Sequence, residues 1–461
     1  MRKLTRKPRV FFLLTLLIAN CFFVKNSRAD ISIIRESETE QFLREICFPI
    51  FKIAGFDTKN IKIYIVNDNS INAFVMGGQN IFINTGLLKK FSNPDVLSGV
   101  IAHEVGHIAS GHLAKSSEEF KNNANTTIMG YILGIGAIAS GRPDVGSAII
   151  LGSSHISNRM ALKYNRSQEE SADILALEYL QKLKISSSGL LEIMEYFNQQ
   201  NKDSRSEINS YDLTHPISSS RILLIKNVSK NNYVKYKKNQ KLIDKLKIVQ
   251  AKLSGFLDEP QNLLEHKNLY LDQYSMLTKA IVYHRIAEYQ KSFEILDYLI
   301  KNNSNDGFLY ELKAEFLYNQ SHLVDAIINY RKAIDLLDNK SKSLAQIAIS
   351  NAILELKTND KFLLELATEN LLNAQENEID NLIIYKNLAQ IYQIQKQEGK
   401  SLLAMAEYNF LVENFEKSQK FAKDALSFLE KCKDDCDKTA IIRAQDLVAI
   451  SANSEVKKTQ N

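Results

Sequence analysis

Asn93-Pro-Asp-Val-Leu-Ser-Gly-Val-Ile-Ala-His-Glu-Val-Gly-His107 is the stretch from which the rest of the chain can be read. It begins with helix-start signals. Asn93 is a capping residue, Pro94 suits the first helical position, and Asp95 complements the positive end of the helix dipole. On such a helix His103 and His107 stand at i and i+4, on one face and about one turn apart. Two imidazoles so placed can bind one tetrahedral Zn2+. Glu104 lies beside them, near enough to take a proton from water at the metal but not to ligate. Two solvated helix histidines would share the spacing, but the capped apolar helix and the extended segment before it favour chemistry.

A third ligand must come from elsewhere. The metzincin pattern needs Gly at 110 and His at 113, where this chain has Ser110 and Leu113. If the helix continues, His112 lies about 500° around it from His107, away from the metal, and reads as a structural or supporting histidine. The second source is Glu169-Glu-Ser-Ala-Asp173, where Glu169 and Asp173 again share a helical face. One of them can bind the metal while the other buttresses a ligand imidazole. Glu170, about 100° away, is expected in solvent. Alone, an acidic helix start is explained by the dipole; beside H-E-x-x-H it becomes the leading candidate.

Working outward, residues 60–91 read as extended structure. Lys62–Val66 alternates, and Asn72–Val75 and Asn80–Ile83 flank the turn Met76-Gly-Gly-Gln79. Beyond the first helix, the apolar runs Ile128–Ala139 and Val145–Gly152 are interrupted by Arg142 and Asp144 and fall short of a membrane span. They read as buried helices or a plug over a cleft; peripheral membrane contact is the other option. From about residue 270 short amphipathic helices follow, with a repeat. Ala280 and Ala314, Tyr283 and Leu317, Ser292 and Ala326, and Leu296 and Tyr330 each stand 34 residues apart. This small/large alternation is that of tetratricopeptide helix pairs, with an echo through Ala389, Tyr392, Ala406, Ser418, Ala422 and Ala425. The Lys-rich segment 230–265 reads as a helical connector with a solvated charged face.

The 461-residue chain has 58 Lys and Arg against 53 Asp and Glu, a formal +5, and 45% hydrophobic residues. That is globular composition, with length for two or three domains. The excess charge is local. Residues 1–29 hold seven cations and no acid, and removing them takes the formal charge from +5 to −2. They have the form of a secretory signal: a basic start, the apolar run Val10–Val24, and small residues Ser27 and Ala29 before a cleavage point at Asp30. An uncleaved anchor, or a lipoprotein modified at Cys21, is the alternative. No basic patch with interleaved aromatics survives without this segment, so a nucleic-acid partner is not expected. Four Cys are too few for a disulfide scaffold. Cys47 is expected as a buried thiol, and Cys432 and Cys436 as a local disulfide or two inert thiols.

The H-E-V-G-H and E-E-S-A-D motifs, preceded by Asn72–Leu88, resemble the gluzincin peptidases that include HtpX and the CAAX-prenyl protease. An export signal and tetratricopeptide C-terminus resemble the periplasmic BepA-type branch of that family in Gram-negative bacteria. The resemblance implies a mainly α fold with a small β-sheet: an α+β metallopeptidase domain, then helical repeats. The expected boundaries are 1–29 for the signal, 30–235 for the peptidase domain, 236–265 for the connector and 266–455 for the repeats. It implies one Zn2+ per chain on His103, His107 and Glu169, with Glu104 as base and Asp173 in support. It also implies a periplasmic role in quality control of unfolded or stalled outer-membrane proteins, around the barrel-assembly machinery and a lipopolysaccharide-transport barrel. Thr214-His215-Pro216, followed by Ser220-Arg221, matches the same branch. Pro216 favours an extended His215, which could stabilise an oxyanion, act as a fourth ligand that blocks the water position, or simply lie on a surface loop. Arg221 could pair with a cleft carboxylate. Asn72, Ala73 and Phe74 lie on a strand against which an extended substrate could add. The rival reading is an assembly factor or chaperone working mainly through its repeats, with proteolysis secondary.

Overall fold

The computed structural model describes residues 32–76, 79–112, 166–202, 211, 215–231, 239–265, 272–431 and 437–460. The expected signal at 1–29, the apolar segment Ile128–Gly152 and the pair Cys432 and Cys436 lie outside the described residues. The fold is mainly helical with one small sheet, as the sequence implied.

The chain enters as β1 (Ser32–Ile34) and α1 (Ser37–Ile53), then lays down β2 (Ile63–Asn67), β3 (Ala73–Met76) and β4 (Asn80–Asn84). Their order in the sheet is β1-β2-β4-β3. β3 and β4 form the antiparallel hairpin that the turn signal predicts, with Ala73 opposite Ile83 and Met76 opposite Asn80. β4 also lies parallel to β2, which leaves β3 at the sheet edge. Alternation sorts the faces. Ile65, Val75, Ile81 and Ile83 point into the main core, while Tyr64, Phe82 and Phe74 stack at 4.9 and 5.0 Å on the other face.

Residues 85–90 differ from the extended reading and form a short helix, α2 (Thr85–Lys90). The reason is tertiary. Gly86 N–H and Thr85 Oγ1 donate to Asp68 O at 2.9 and 3.1 Å, ending the strand, and Leu87 and Leu88 then turn into the core. α3 (Pro94–Ala109) starts as predicted, with Asn93 accepting from the backbone N–H of Asp95 at 3.1 Å. It packs against α4 (Arg166–Lys182) and α5 (Ser188–Lys202). Gly106 permits the close approach to α4: a Cβ there would lie 2.7 Å from the carbonyl oxygen of Ala172. α6 (Ser219–Asn231) follows. Cys47 is fully buried on α1, and burial pushes its thiol above the ordinary range.

The Lys-rich segment corrects another expectation. α7 (Gln240–Leu257) is more than a solvated connector, because Leu246, Val249 and Leu253 belong to the main core beneath the sheet and α3. Ala251, with Ile248 and Phe256, packs among the first repeat helices. Lys252, in the same charge run, is only 3% exposed and meets Glu36 at 2.7 Å and Glu38 at 2.8 Å. The helix is apolar on two sides, so both domains are built onto it.

After α8 (Pro260–Glu265), α9 (Gln273–Arg285) and α10 (Tyr289–Asn302) recur as α11 (Gly307–Asn319) and α12 (Leu323–Leu336), every boundary displaced by the expected 34 residues. The series continues with uneven steps as α13 (Ser343–Glu355), α14 (Lys361–Gln375), α15 (Leu382–Ile394), α16 (Glu398–Leu411), α17 (Phe415–Leu429) and α18 (Lys438–Gln460). Five of the turns between these helices carry a left-handed residue, at Ala287, Ser321, Lys357, Lys396 and Glu413. The small residues lie where helices meet: Ala280, Ala314, Ala326 and Ala333 are fully buried. α1 and its flanks are tied to the repeats by Arg35 to Glu378 at 2.6 Å, Ser37 to Glu311 at 2.7 Å and Gln41 to Asp338 at 2.6 Å.

Candidate metal centre

α3 and α4 carry His103, His107 and Glu169 to one point, and the loop before α6 adds His215. All four are buried, and one donor atom from each lies within 4.8 Å of the others. The Nε2 atoms of His103 and His107 are 3.1 Å apart. Glu169 places Oε2 3.3 Å from His103 and Oε1 3.3 Å from His107. His215 Nδ1 stands 3.4 Å from His103 Nε2 and 3.1 Å from Glu169 Oε1. A tetrahedral ion with bonds of about 2.0–2.1 Å has ligand atoms about 3.3 Å apart, so these separations and this donor set fit a metal ion.

The surrounding groups fix the donors in place. Asp173 lies one turn beyond Glu169 and takes His103 Nδ1 at 2.8 Å, which turns Nε2 towards the cluster. Arg221 grips Asp173 with two bonds of 2.6 and 2.9 Å, and its Nη1 also lies 2.7 Å from Glu169. The same guanidinium donates to Pro216 O at 2.9 Å, tying the His215 loop to the carboxylates. Glu170 is exposed, as its angle on the helix predicts.

His112 takes the supporting place that the sequence reading gave it, but does not reach it on a continuing helix. α3 ends at Ala109, Gly111 adopts φ +65°, and the chain turns back so that His112 Nδ1 sits 3.0 Å from His107 Nδ1. It supports the His107 imidazole from outside the donor set, by a turn that an unbroken helix would not make.

Protonation follows these contacts. Burial disfavours a charged His103, but Asp173 and Glu169 outweigh it and raise its pKa to about 9. Burial lowers His107 to about 2, with the nearby His103 and His215 adding to the effect. Burial works against ionised Glu169 and Asp173 too. His215, His103 and His107 hold Glu169 below the usual carboxylate range, and Arg221 and His103 do the same for Asp173. Glu104 differs. It is 1% exposed, and burial raises its pKa despite the charges of His215 and His103. Its carboxylate lies 3.3 Å from His215 Nε2, so His215 stands between Glu104 and the other donors.

On the substrate-strand side, β3 borders α3. Asn72 and Ala73 are buried, with Asn72 O accepting from Asn84 N at 3.0 Å, and Phe74 stacks on Phe82. The sequence reading missed Tyr211, which is 1% exposed and stacked on His215 with ring centroids 4.8 Å apart. The available signal was its position four residues before His215, one helical turn away.

Two histidines and a glutamate on facing helices, with a second glutamate beside them, define a metallopeptidase centre. Residues 37–229 match the model for Peptidase family M48, and that match together with the donor cluster supports a metalloprotease. It is 22% identical over 342 residues to the beta-barrel assembly-enhancing protease of Escherichia coli (strain K12), covering 72% of this chain and 69% of that one. The protein of that name from Yersinia pestis matches at 22% over 344 residues, with the same coverage. Metalloprotease YcaL of Escherichia coli (strain K12) is 28% identical over 137 residues, 30% of this chain and 50% of that one.

Proposed function

We propose that this protein is a periplasmic zinc endopeptidase that cleaves misfolded or stalled outer-membrane proteins during barrel assembly, with its repeats engaging clients or the assembly machinery. The observation that carries the catalytic part is the convergence of His103, His107 and Glu169, with Glu104 buried beside them. The cellular part rests on relatives named for enhancing beta-barrel assembly and on the signal-like first 29 residues. A lipopolysaccharide-transport barrel is a further proposed partner.

In this reading His103, His107 and Glu169 hold one zinc ion. When bound, zinc supplies Lewis acidity towards the scissile carbonyl and the attacking water. Glu104 accepts the proton of that water and returns it to the leaving amine, a task suited to a carboxylate whose pKa burial has raised. β3, with Asn72, Ala73 and Phe74, offers the sheet edge along which an extended substrate pairs. His215 is a gate: Nδ1 lies among the donors and Nε2 beside Glu104, so the imidazole fills the space that water and carbonyl need. Asp173 and Arg221 keep the ligands oriented.

Metal analysis and proteomic degradation assays on purified variants test the assignment. Glu104→Gln is expected to keep zinc and lose proteolysis, whereas His103→Ala loses both while remaining folded; a His103→Ala protein that retains stoichiometric zinc overturns it. His215→Ala is expected to raise proteolysis of unfolded clients. Unchanged zinc affinity and unchanged activity would remove His215 from the mechanism, and a loss of activity with zinc retained would make it an oxyanion donor instead.

A further inference from the structure

Tyr211 is outside the donor set, yet it governs the freedom of the residue that completes it. The backbone around His215 is pinned on both sides. His215 N–H donates to Tyr211 O at 2.8 Å, and Pro216 O accepts from Arg221, itself locked to Asp173. With the chain held, rotation of the imidazole about its own side-chain bonds is the simplest way in or out of the donor cluster. Tyr211 lies flat against that imidazole, at 27° between ring planes. Its other side is backed by Phe197 of α5, parallel within 10° at 4.9 Å. Phe197 is fully buried and its neighbour Tyr196 packs edge-on against it. The stack therefore runs from the fixed core to the mobile gate.

We propose that Tyr211 is a positioning residue that holds His215 in the closed orientation through this aromatic stack, and so sets how often the gate opens. The inference rests on the reading of His215 as a gate and adds to it: the closed state is held by ring packing as well as by the metal. This hold is assigned to the ring, which is stacked on both faces. Flat stacking opposes the tilt that any side-chain rotation of His215 requires.

The test compares Tyr211→Phe, which keeps the ring, with Tyr211→Leu, which removes it and keeps apolar bulk. The full-length proteins are loaded with cobalt(II), and their visible spectra, metal affinities by chelator competition and peptidase rates are measured. Tyr211→Leu is expected to reproduce the His215→Ala cobalt spectrum, weaken metal binding by about 10-fold and raise kcat on an unfolded client. Tyr211→Phe is expected to match the wild type in all three. In a His215→Ala background Tyr211→Leu is expected to have no further effect on spectrum or rate. If Tyr211→Leu does not fold, Phe197→Leu, at the far end of the stack, is expected to shift the spectrum in the same direction.

A His215→Ala spectrum that differs from wild type, with Tyr211→Leu or Phe197→Leu spectra that do not, overturns the role of Tyr211 and leaves the gate intact. A His215→Ala spectrum identical to wild type overturns the gate itself and this inference with it. A Tyr211→Phe protein that behaves like Tyr211→Leu assigns the effect to the hydroxyl and overturns the stacking account.

Discussion

At the metal centre and at the junction between the peptidase domain and the repeats, the chain buries charged groups on opposite plans. In the first, three imidazoles and Glu169 turn their donor atoms towards one another at 3.1–3.4 Å. In the second, Glu36 and Glu38 converge on a cation that the chain supplies, Lys252 Nζ, at 2.7 and 2.8 Å. Convergent lone pairs out of water are unfavourable unless something positive sits among them. The junction answers both of its carboxylates with its own cation; at the centre Arg221 meets Glu169 from one side, while the imidazoles and the carboxylate still turn donor atoms on one point that fits a metal ion. The two clusters should therefore fail differently, the junction through folding and the centre through metal affinity.

Removing the cation of the junction is the harshest way to break the comparison. Lys252→Met removes the cation that Glu36 and Glu38 both face, and losing one partner of a buried pair costs about 3–5 kcal/mol. Chemical denaturation should show a loss of that size, with zinc affinity unchanged where the protein remains folded. The matching change at the centre is Asp173→Asn, which with its amide nitrogen in place of Oδ1 disturbs the hydrogen bond that orients His103 and the Nη2 half of the grip of Arg221. Its effect should appear in chelator competition as about 10–100-fold weaker metal binding, with a smaller loss of stability than Lys252→Met because Glu169 still faces Arg221.

Two carboxyls at the junction, Glu38 and Glu311, respond to pH with the opposite sign to two at the centre, Glu169 and Asp173. Burial raises Glu38 to about 7 and Glu311 to about 8, against an ordinary 4.5. Such groups bind protons on folding, so their contribution to stability is full below about 4.5 and is lost as pH rises through 7 and 8. Glu169 and Asp173 are held low, so their contribution is present near neutrality and is lost on acidification. Between pH 5 and pH 8 the thermal midpoint of the metal-free protein should fall through the junction groups, and Glu311→Gln should reduce that fall. An unaltered slope in Glu311→Gln would show that this carboxyl does not take up a proton on folding.

The sequence made the centre more legible than the junction, for a physical reason. His103, His107, Glu169 and Asp173 sit on two helices with fixed geometry, so spacing alone announces which side chains share a face. The edge strand, the helix cap at Asn93 and the 34-residue repeat were legible on the same terms. Lys252 was not, because one lysine in a Lys-rich helix looks solvated until α1 is known to pack over it. Thr85–Lys90 looked extended because its helical turn is enforced by Asp68, a contact outside local propensity. The supporting role of His112 was legible, but its contact with His107 was not, because the helix ends and Gly111 turns the chain back. His215 was visible through Pro216, but the stack on Tyr211 required the fold.

The smallest expected effect tests the repeats against both clusters. Ser292 Oγ donates to Ala280 O at 2.7 Å, Ser401 to Ala389 at 2.8 Å and Ser418 to Ala406 at 2.9 Å, each spanning 12 residues across a helix hairpin. The second hairpin has Ala326 at the same place, 12 residues after Ala314, and is equally buried there. The position therefore demands a small side chain first and a hydroxyl second. Ser292→Ala removes one neutral hydrogen bond and fits the space that Ala326 fills, so the loss should be at most about 1 kcal/mol. Ser292→Leu should cost more, because it forces apart helices that meet at Ala280; overpacking of this kind typically costs about 1–3 kcal/mol. Equal destabilisation by both variants, measured by denaturation of the full chain, would mean that the hydroxyl bond rather than the close helix contact holds the hairpin. Neither change should alter zinc affinity, since α9 and α10 contribute no donor to the centre.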